Sequence, residues 1–134
     1  MAIGERWGRE VGAGTVIGLS GDLGAGKTQF VIGLARGLGI TARVQSPTFA
    51  LVHEYREGRL PLAHIDLYRL DTPQQIIGAG LHEYLDSPEG VVVVEWCERW
   101  PAFASPSLPE NFRRIQIEQP DESTRRLTYD DPRA

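Results

Sequence analysis

Gly21-Asp22-Leu23-Gly24-Ala25-Gly26-Lys27-Thr28 is the stretch from which the rest of this chain is placed. It fits the pattern G-x-x-x-x-G-K-[ST], and each part of that pattern has a physical task. Glycines let the backbone wrap so that several N–H groups point inward as an anion nest. A helix starting there adds the positive end of its dipole. The Lys27 ammonium suits the β- and γ-phosphates of a nucleotide, and the Thr28 hydroxyl suits Mg²⁺. The flanks agree with this reading. Thr15–Ser20 is apolar and β-branched and reads as a short buried strand. From Thr28 to Leu38 the apolar positions Phe30, Val31, Leu34, Ala35 and Leu38 follow helical spacing, and Gly39 supplies the stop.

The use of positive charge points to the same loop. The chain has 13 arginines and one lysine, and that lysine is Lys27. A guanidinium is a wide planar fork and an ammonium a compact point charge. The compact group is kept where the backbone is most crowded.

A phosphate loop of this kind works with a carboxylate at the end of a neighbouring strand, which holds the Mg²⁺ shell. Two residues qualify. Val91–Val94 is an unbroken β-branched run, expected to be a central parallel strand buried on both faces, and Glu95 follows it directly. Asp66 lies late in the run Leu60–Tyr68. Ser46 and Thr48, in an extended or turn segment around Pro47, are switch-like hydroxyls for the γ-phosphate.

The remaining segments build a sheet around these parts. Ala50–Tyr55 and Leu60–Tyr68 flank the turn Arg56-Glu57-Gly58-Arg59 and predict a hairpin. Thr72-Pro73-Gln74-Gln75 is a helix start, with Thr as N-cap, Pro at N1 and Gln at N3. Gly78 and Gly80 predict a break before a second turn near Leu81–Leu85. Pro101–Pro109, with three prolines, predicts a loop. Arg113–Gln119 and Arg125–Tyr129 alternate and predict a second, C-terminal hairpin, their Arg pairs read as solvated strand ends or as a surface for a phosphate-rich partner. The expected fold is α/β: a three-layer nucleotide-binding fold with a mixed, mainly parallel sheet and a closing C-terminal hairpin.

Composition sets the outer bounds. At 134 residues the chain fits one domain, 1–134. Its 41% hydrophobic and 24% charged residues exclude wholesale disorder. A net charge of −4 argues against a generic nucleic-acid binder. The single Cys97 cannot form an internal disulfide, which fits a reducing cytoplasm. No apolar run approaches a membrane span, and Met1–Arg6 lacks the pattern of a signal peptide. His53, His64 and His82 have no metal-ligand spacing with Cys97, and His64-x-Asp66 is a weak acid–base signal. Trp96 suits either stacking on a base or partner, or packing at the sheet end.

GDLGAGKT, then SPTF, then HIDLYRL, then EW after a valine strand, resembles the TsaE (YjeE) family in order and spacing from about Ile3 to Tyr129. GAGLHEYL at Gly78–Leu85 also resembles the family's segment at that place. The resemblance implies a P-loop ATPase of threonylcarbamoyladenosine biosynthesis in tRNA. Such proteins bind ATP and Mg²⁺, join TsaD and TsaB, and hydrolyse ATP faster in that complex. They meet tRNA only through it. It further implies that Gly21, Asp22, Leu23, Gly24, Ala25, Gly26, Lys27, Thr28 and Gln29, with Asp66, hold the nucleotide. Thr28 and Glu95 hold Mg²⁺, and Lys27, Asp66 and Glu95 serve turnover. Two departures stand out. Gln29 replaces the family's frequent second Thr, though its amide still hydrogen-bonds. The family usually carries a strand and helix ahead of the P-loop strand, so a truncated N-terminal strand is expected here. Two other readings remain: a small-molecule P-loop kinase, and a nucleotide-gated binding module with incidental hydrolysis. The first needs a lid with phosphate-clamping arginines, and Pro101–Asn111 contains none. No N-K-x-D segment for reading guanine is present.

Overall fold

The computed structural model describes residues 2–21, 24–44, 51–68, 70, 72–86, 88–104, 108–118 and 126–130. Six strands form one sheet in the order β2-β3-β4-β1-β5-β6. They are β1 Val16–Ser20, β2 Val52–Tyr55, β3 Leu62–Asp66, β4 Val91–Glu95, β5 Phe112–Glu118 and β6 Arg126–Asp130. The four inner strands run parallel, β1 pairing with β4 and β5, and β3 with β4. The two hairpin partners β2 and β6 are antiparallel edges. Both hairpins and the mixed sheet are therefore as expected.

The sheet is covered on both faces, which explains its run of four valines. Val91 and Val93 pack with Ile17, Leu19, Phe30 and Leu34 on one face. Val92 and Val94 pack with Val16, Ile65, Ile76 and Phe103 on the other. Each such buried aliphatic side chain contributes about 1.5–3 kcal/mol. Successive residues of a strand point to opposite faces, so a strand covered on both sides has no place for a polar alternation.

The first face carries α1 (Ala2–Glu10) and α2 (Gly24–Gly37). They pack closely through glycines: a Cβ on Gly4 would stand 2.6 Å from the Phe30 carbonyl oxygen. Arg59 Nη2 donates to the Gly8 and Val11 carbonyls at the C-terminal end of α1, both at 2.7 Å. A guanidinium there satisfies carbonyls that the helix leaves unpaired.

The second face carries α3 (Pro73–Gly78), α4 (His82–Asp86), the 3-10 turn Cys97–Arg99 and α5 (Pro101–Ala104). The capping box at α3 is present in both directions, Gln75 N to Thr72 Oγ1 and Thr72 N to Gln75 Oε1, each at 3.2 Å. The helix stops where Gly78 and Gly80 were expected to break it.

Three expectations need correction. The helix after the phosphate loop starts at Gly24, not Thr28. The first turn of a helix needs no intrahelical partner for its N–H groups, so glycines are tolerated there. The proline-rich segment is not all loop, because Pro101 opens α5, a position where its missing N–H costs nothing. Nor are Arg113 and Arg114 solvated strand ends. Arg113 is 9% exposed with its guanidinium 4.7 Å from the Trp7 ring centroid, and Arg114 Nη1 donates to the Phe103 carbonyl at 2.7 Å. Of the second pair, Arg125 lies outside the described residues.

Candidate nucleotide site

The parallel register brings three strand ends together. Leu19 of β1 pairs with Glu95 of β4, and Glu95 pairs with Asp66 of β3. On β3, Leu62 belongs to the core under α1 and α2, so by alternation His64 and Asp66 face that side too. On β4, Val91 and Val93 belong to the same core and place Glu95 on the same side. The two carboxylates singled out from sequence are thus neighbours, on the face that carries α2.

The chain leaves β1 at Gly21, whose φ of +114° lies in the region that favours glycine. A Cβ there would strike the Ile117 carbonyl. After it comes the 14-residue α2, whose first five residues include Gly24, Gly26, Lys27 and Thr28. Gly26 and Lys27 are buried, Thr28 is half-buried and Gln29 exposed. Asp22 and Leu23, and the hydroxyls of Ser46 and Thr48, lie outside the described residues.

Lys27 is only 4% exposed. Among the described residues no carboxylate forms an ion pair with it. Its ammonium instead lies 4.8 Å from the centroid of the Trp96 ring. Such a contact is worth about 0.5–2 kcal/mol and leaves most of the ammonium's hydrogen-bonding capacity unused. Trp96 follows Glu95 directly and has φ 60° and ψ 40°, a left-handed conformation rare for a bulky side chain. Holding it there costs on the order of 1–3 kcal/mol. Arg99 stacks on the same ring at 5.0 Å, and Tyr68 lies 5.3 Å away centroid to centroid. Arg99 Nη1 also donates to the Leu67 and Tyr68 carbonyls, tying the 3-10 turn to the end of β3.

The acids differ in their surroundings. Asp66 Oδ1 accepts from the Tyr68 backbone N–H at 2.9 Å. Burial pushes the Asp66 carboxyl above the usual carboxylate value, and the negative charge of Glu95 adds to this. The Tyr68 N–H, His64 and Lys27 pull the other way without cancelling it. Glu95 is 7% exposed, and its Oε2 stands 2.7 Å from His64 Nε2. Sequence reasoning missed that pair. The only available signal was the two-residue spacing of His64 and Asp66, which puts both on one face of a strand. Cys97 is no part of this chemistry, because burial pushes its thiol up to about 12.

Mg²⁺ commonly takes one or two protein carboxylates and leaves the rest of its shell to water and phosphate oxygens. Among the described residues no cluster of three His, Cys, Asp or Glu side chains forms a closed cage. Glu95 offers a buried carboxylate with only Oε2 engaged among the described residues. With Asp66 beside it and Thr28 near the start of α2, the donor set fits a cation bound through oxygen and held jointly with phosphate. No helix among the described residues is long and apolar enough to cross a membrane.

The family model for Threonylcarbamoyl adenosine biosynthesis protein TsaE matches residues 1–127. The tRNA threonylcarbamoyladenosine biosynthesis protein TsaE of Nostoc is 44% identical over 128 residues, spanning 93% of this chain and 75% of that protein. Its namesake from Treponema pallidum is 42% identical over 127 residues, spanning 92% and 90%. The crystal structure of Bacillus subtilis YdiB superimposes with a TM-score of 0.73 at 38% identity, covering 96% of this chain and 75% of that one.

Proposed function

The chain belongs to the TsaE family, and on that premise we propose that it is a Mg²⁺-dependent ATPase serving threonylcarbamoyladenosine formation in tRNA. Hydrolysis is stimulated when it joins TsaD and TsaB, and tRNA is met only through that complex. One observation carries the reading. A buried lysine without a described carboxylate partner stands at the start of a 14-residue helix, on the sheet face where Asp66 and Glu95 end adjacent strands.

In this reading the first turn of α2 presents backbone N–H groups to the phosphates. Lys27 exchanges its contact with Trp96 for β- and γ-phosphate oxygens, whose charge it compensates. Thr28 and Glu95 hold Mg²⁺, which when bound offsets phosphate charge and aligns the oxygens of the leaving group. Asp66, made more basic by burial, orients the attacking water. Gly21 to Gln29 form the rest of the cradle. Ser46 and Thr48 supply hydroxyls for the γ-phosphate.

The test is ATP turnover with Mg²⁺, alone and with a purified TsaD–TsaB complex, with Lys27→Ala as the blank. Slow turnover alone and many-fold faster turnover with the complex is expected. Turnover that ignores the complex would leave the nucleotide site standing and remove the partner assignment.

A further inference from the structure

Among the described residues, His64 is a buried polar side chain beside the site to which the proposed function gives no task. It sits on β3 opposite Val93, one step below the Asp66–Glu95 pair on the same face of the sheet. Its side chain is 2% exposed and that of Glu95 10%. Nε2 makes the 2.7 Å contact with Glu95 Oε2, and Nδ1 has no partner among the described residues. A proton on Nδ1 would be a buried donor with nothing to receive it. The tautomer that uses the available bond therefore carries its proton on Nε2 and donates it to Glu95.

This arrangement is costly as a piece of core. Burying an imidazole and a carboxylate where apolar side chains would pack loses hydration that one hydrogen bond does not restore. What the pair supplies is direction. With Oε2 held from below, the carboxylate cannot rotate freely, and its other oxygen is presented in a fixed orientation. An outer-shell donor that fixes a ligating carboxylate typically changes metal affinity or activity by about 10–100-fold.

We infer that His64 is a positioning residue, which through its Nε2–H fixes the Glu95 carboxylate for the divalent cation that accompanies the nucleotide. This rests on the proposed function, since it takes Glu95 as the cation ligand. It adds a residue that touches neither nucleotide nor cation.

The test uses an isosteric pair. His64→Gln keeps an N–H donor near the Nε2 position, and His64→Met has the same length and no donor. Both fill the site, so a packing role would be served by either. Binding of a fluorescent ADP analogue is measured with and without Mg²⁺, alongside turnover and thermal melting. The Mg²⁺-dependent gain in affinity should fall about 10-fold or more in His64→Met, with metal-free binding unchanged, and be largely restored in His64→Gln. Turnover should follow the same order, with kcat affected more than KM. Equal Mg²⁺ gains in the two variants overturn the inference, whether both match the wild type or both are weakened. If His64→Met does not fold, His64→Gln against wild type decides: a gain lost despite the retained donor overturns the inference, and a gain retained supports it. Nucleotide binding by the wild-type chain that Mg²⁺ does not tighten would overturn the cation assignment of Glu95 itself, and with it the inference. Turnover unchanged in Glu95→Ala would do the same, separately from any result at position 64.

Discussion

Arg113 and Lys27 rest on different tryptophan rings at nearly the same distance, in opposite surroundings. Arg113 lies 4.7 Å from the Trp7 centroid and Lys27 lies 4.8 Å from that of Trp96. The first contact is part of the packing. Trp7 is 3% exposed on α1, edge-on to Phe30 at 6.0 Å, and α1 is held against α2 by glycines. The second contact stands at the C-terminal edge of the sheet. Its tryptophan has left-handed backbone geometry, and two acids lie beside it. Contact geometry alone does not separate a staple from a resting place. The neighbours do: the Trp7 contact is enclosed by apolar core, and the Trp96 contact by groups that a phosphate and a cation would engage.

Substitution should pull the two apart, and the largest effect belongs to the staple. Trp7→Ala removes a buried aromatic from the core, and such changes cost about 3–5 kcal/mol. Urea unfolding should show that loss, while kcat of the remaining folded protein stays near wild type. Lys27→Met should do the reverse. Loss of one preorganised charge at a reacting group costs about 10²–10³ in rate. Melting should not suffer, because the variant removes a buried charge that has no described ion pair. A Lys27→Met protein that turned over normally, or a Trp7→Ala protein as stable as wild type, would erase the distinction.

Gly4→Ala should come next. The new methyl meets the Phe30 carbonyl at 2.6 Å, and backbone cannot yield as a flexible side chain does. Overpacking of this kind costs about 1–3 kcal/mol. It should lower the melting temperature through α1 and leave nucleotide affinity alone, since Trp7 and Trp96 belong to different regions.

The same contrast explains what could be read from the sequence. The strand and helix that flank Gly21–Thr28, the Val91–Val94 strand, the Thr72 capping box and both hairpins were legible because their signals are local. Asp66 and Glu95 could be named as strand-end carboxylates. That they are neighbours follows from the order β3-β4-β1, which no local pattern carries. The α1 helix was obscured because Gly4 and Gly8 weaken a helix in isolation, and their value appears only against α2. Alternation assigned Arg113 and Arg114 to opposite faces of β5 without saying what covers either face. His64 and Glu95 are 31 positions apart, and only the folded sheet makes them a pair.

The smallest expected effect is the most diagnostic of the site's electrostatics. Burial raises the carboxyl of Asp66 above its usual 3.8, so ionised Asp66 opposes folding. Above the raised folded value the group is charged both folded and unfolded, and the cost is fully present. As pH falls through the raised folded value, the folded state takes up its proton first and the cost diminishes. Below the unfolded value both states are protonated and it is gone. Asp66→Asn should therefore melt slightly above wild type at pH 7. The gap should close as pH drops through the carboxylate range, while turnover at pH 7 falls. A gap of the opposite sign at neutral pH would mean that Lys27 and His64 stabilise the Asp66 charge more than burial opposes it. The Asp66 edge would then be a stabilising charge cluster, as ordinary to the fold as the corner at Trp7.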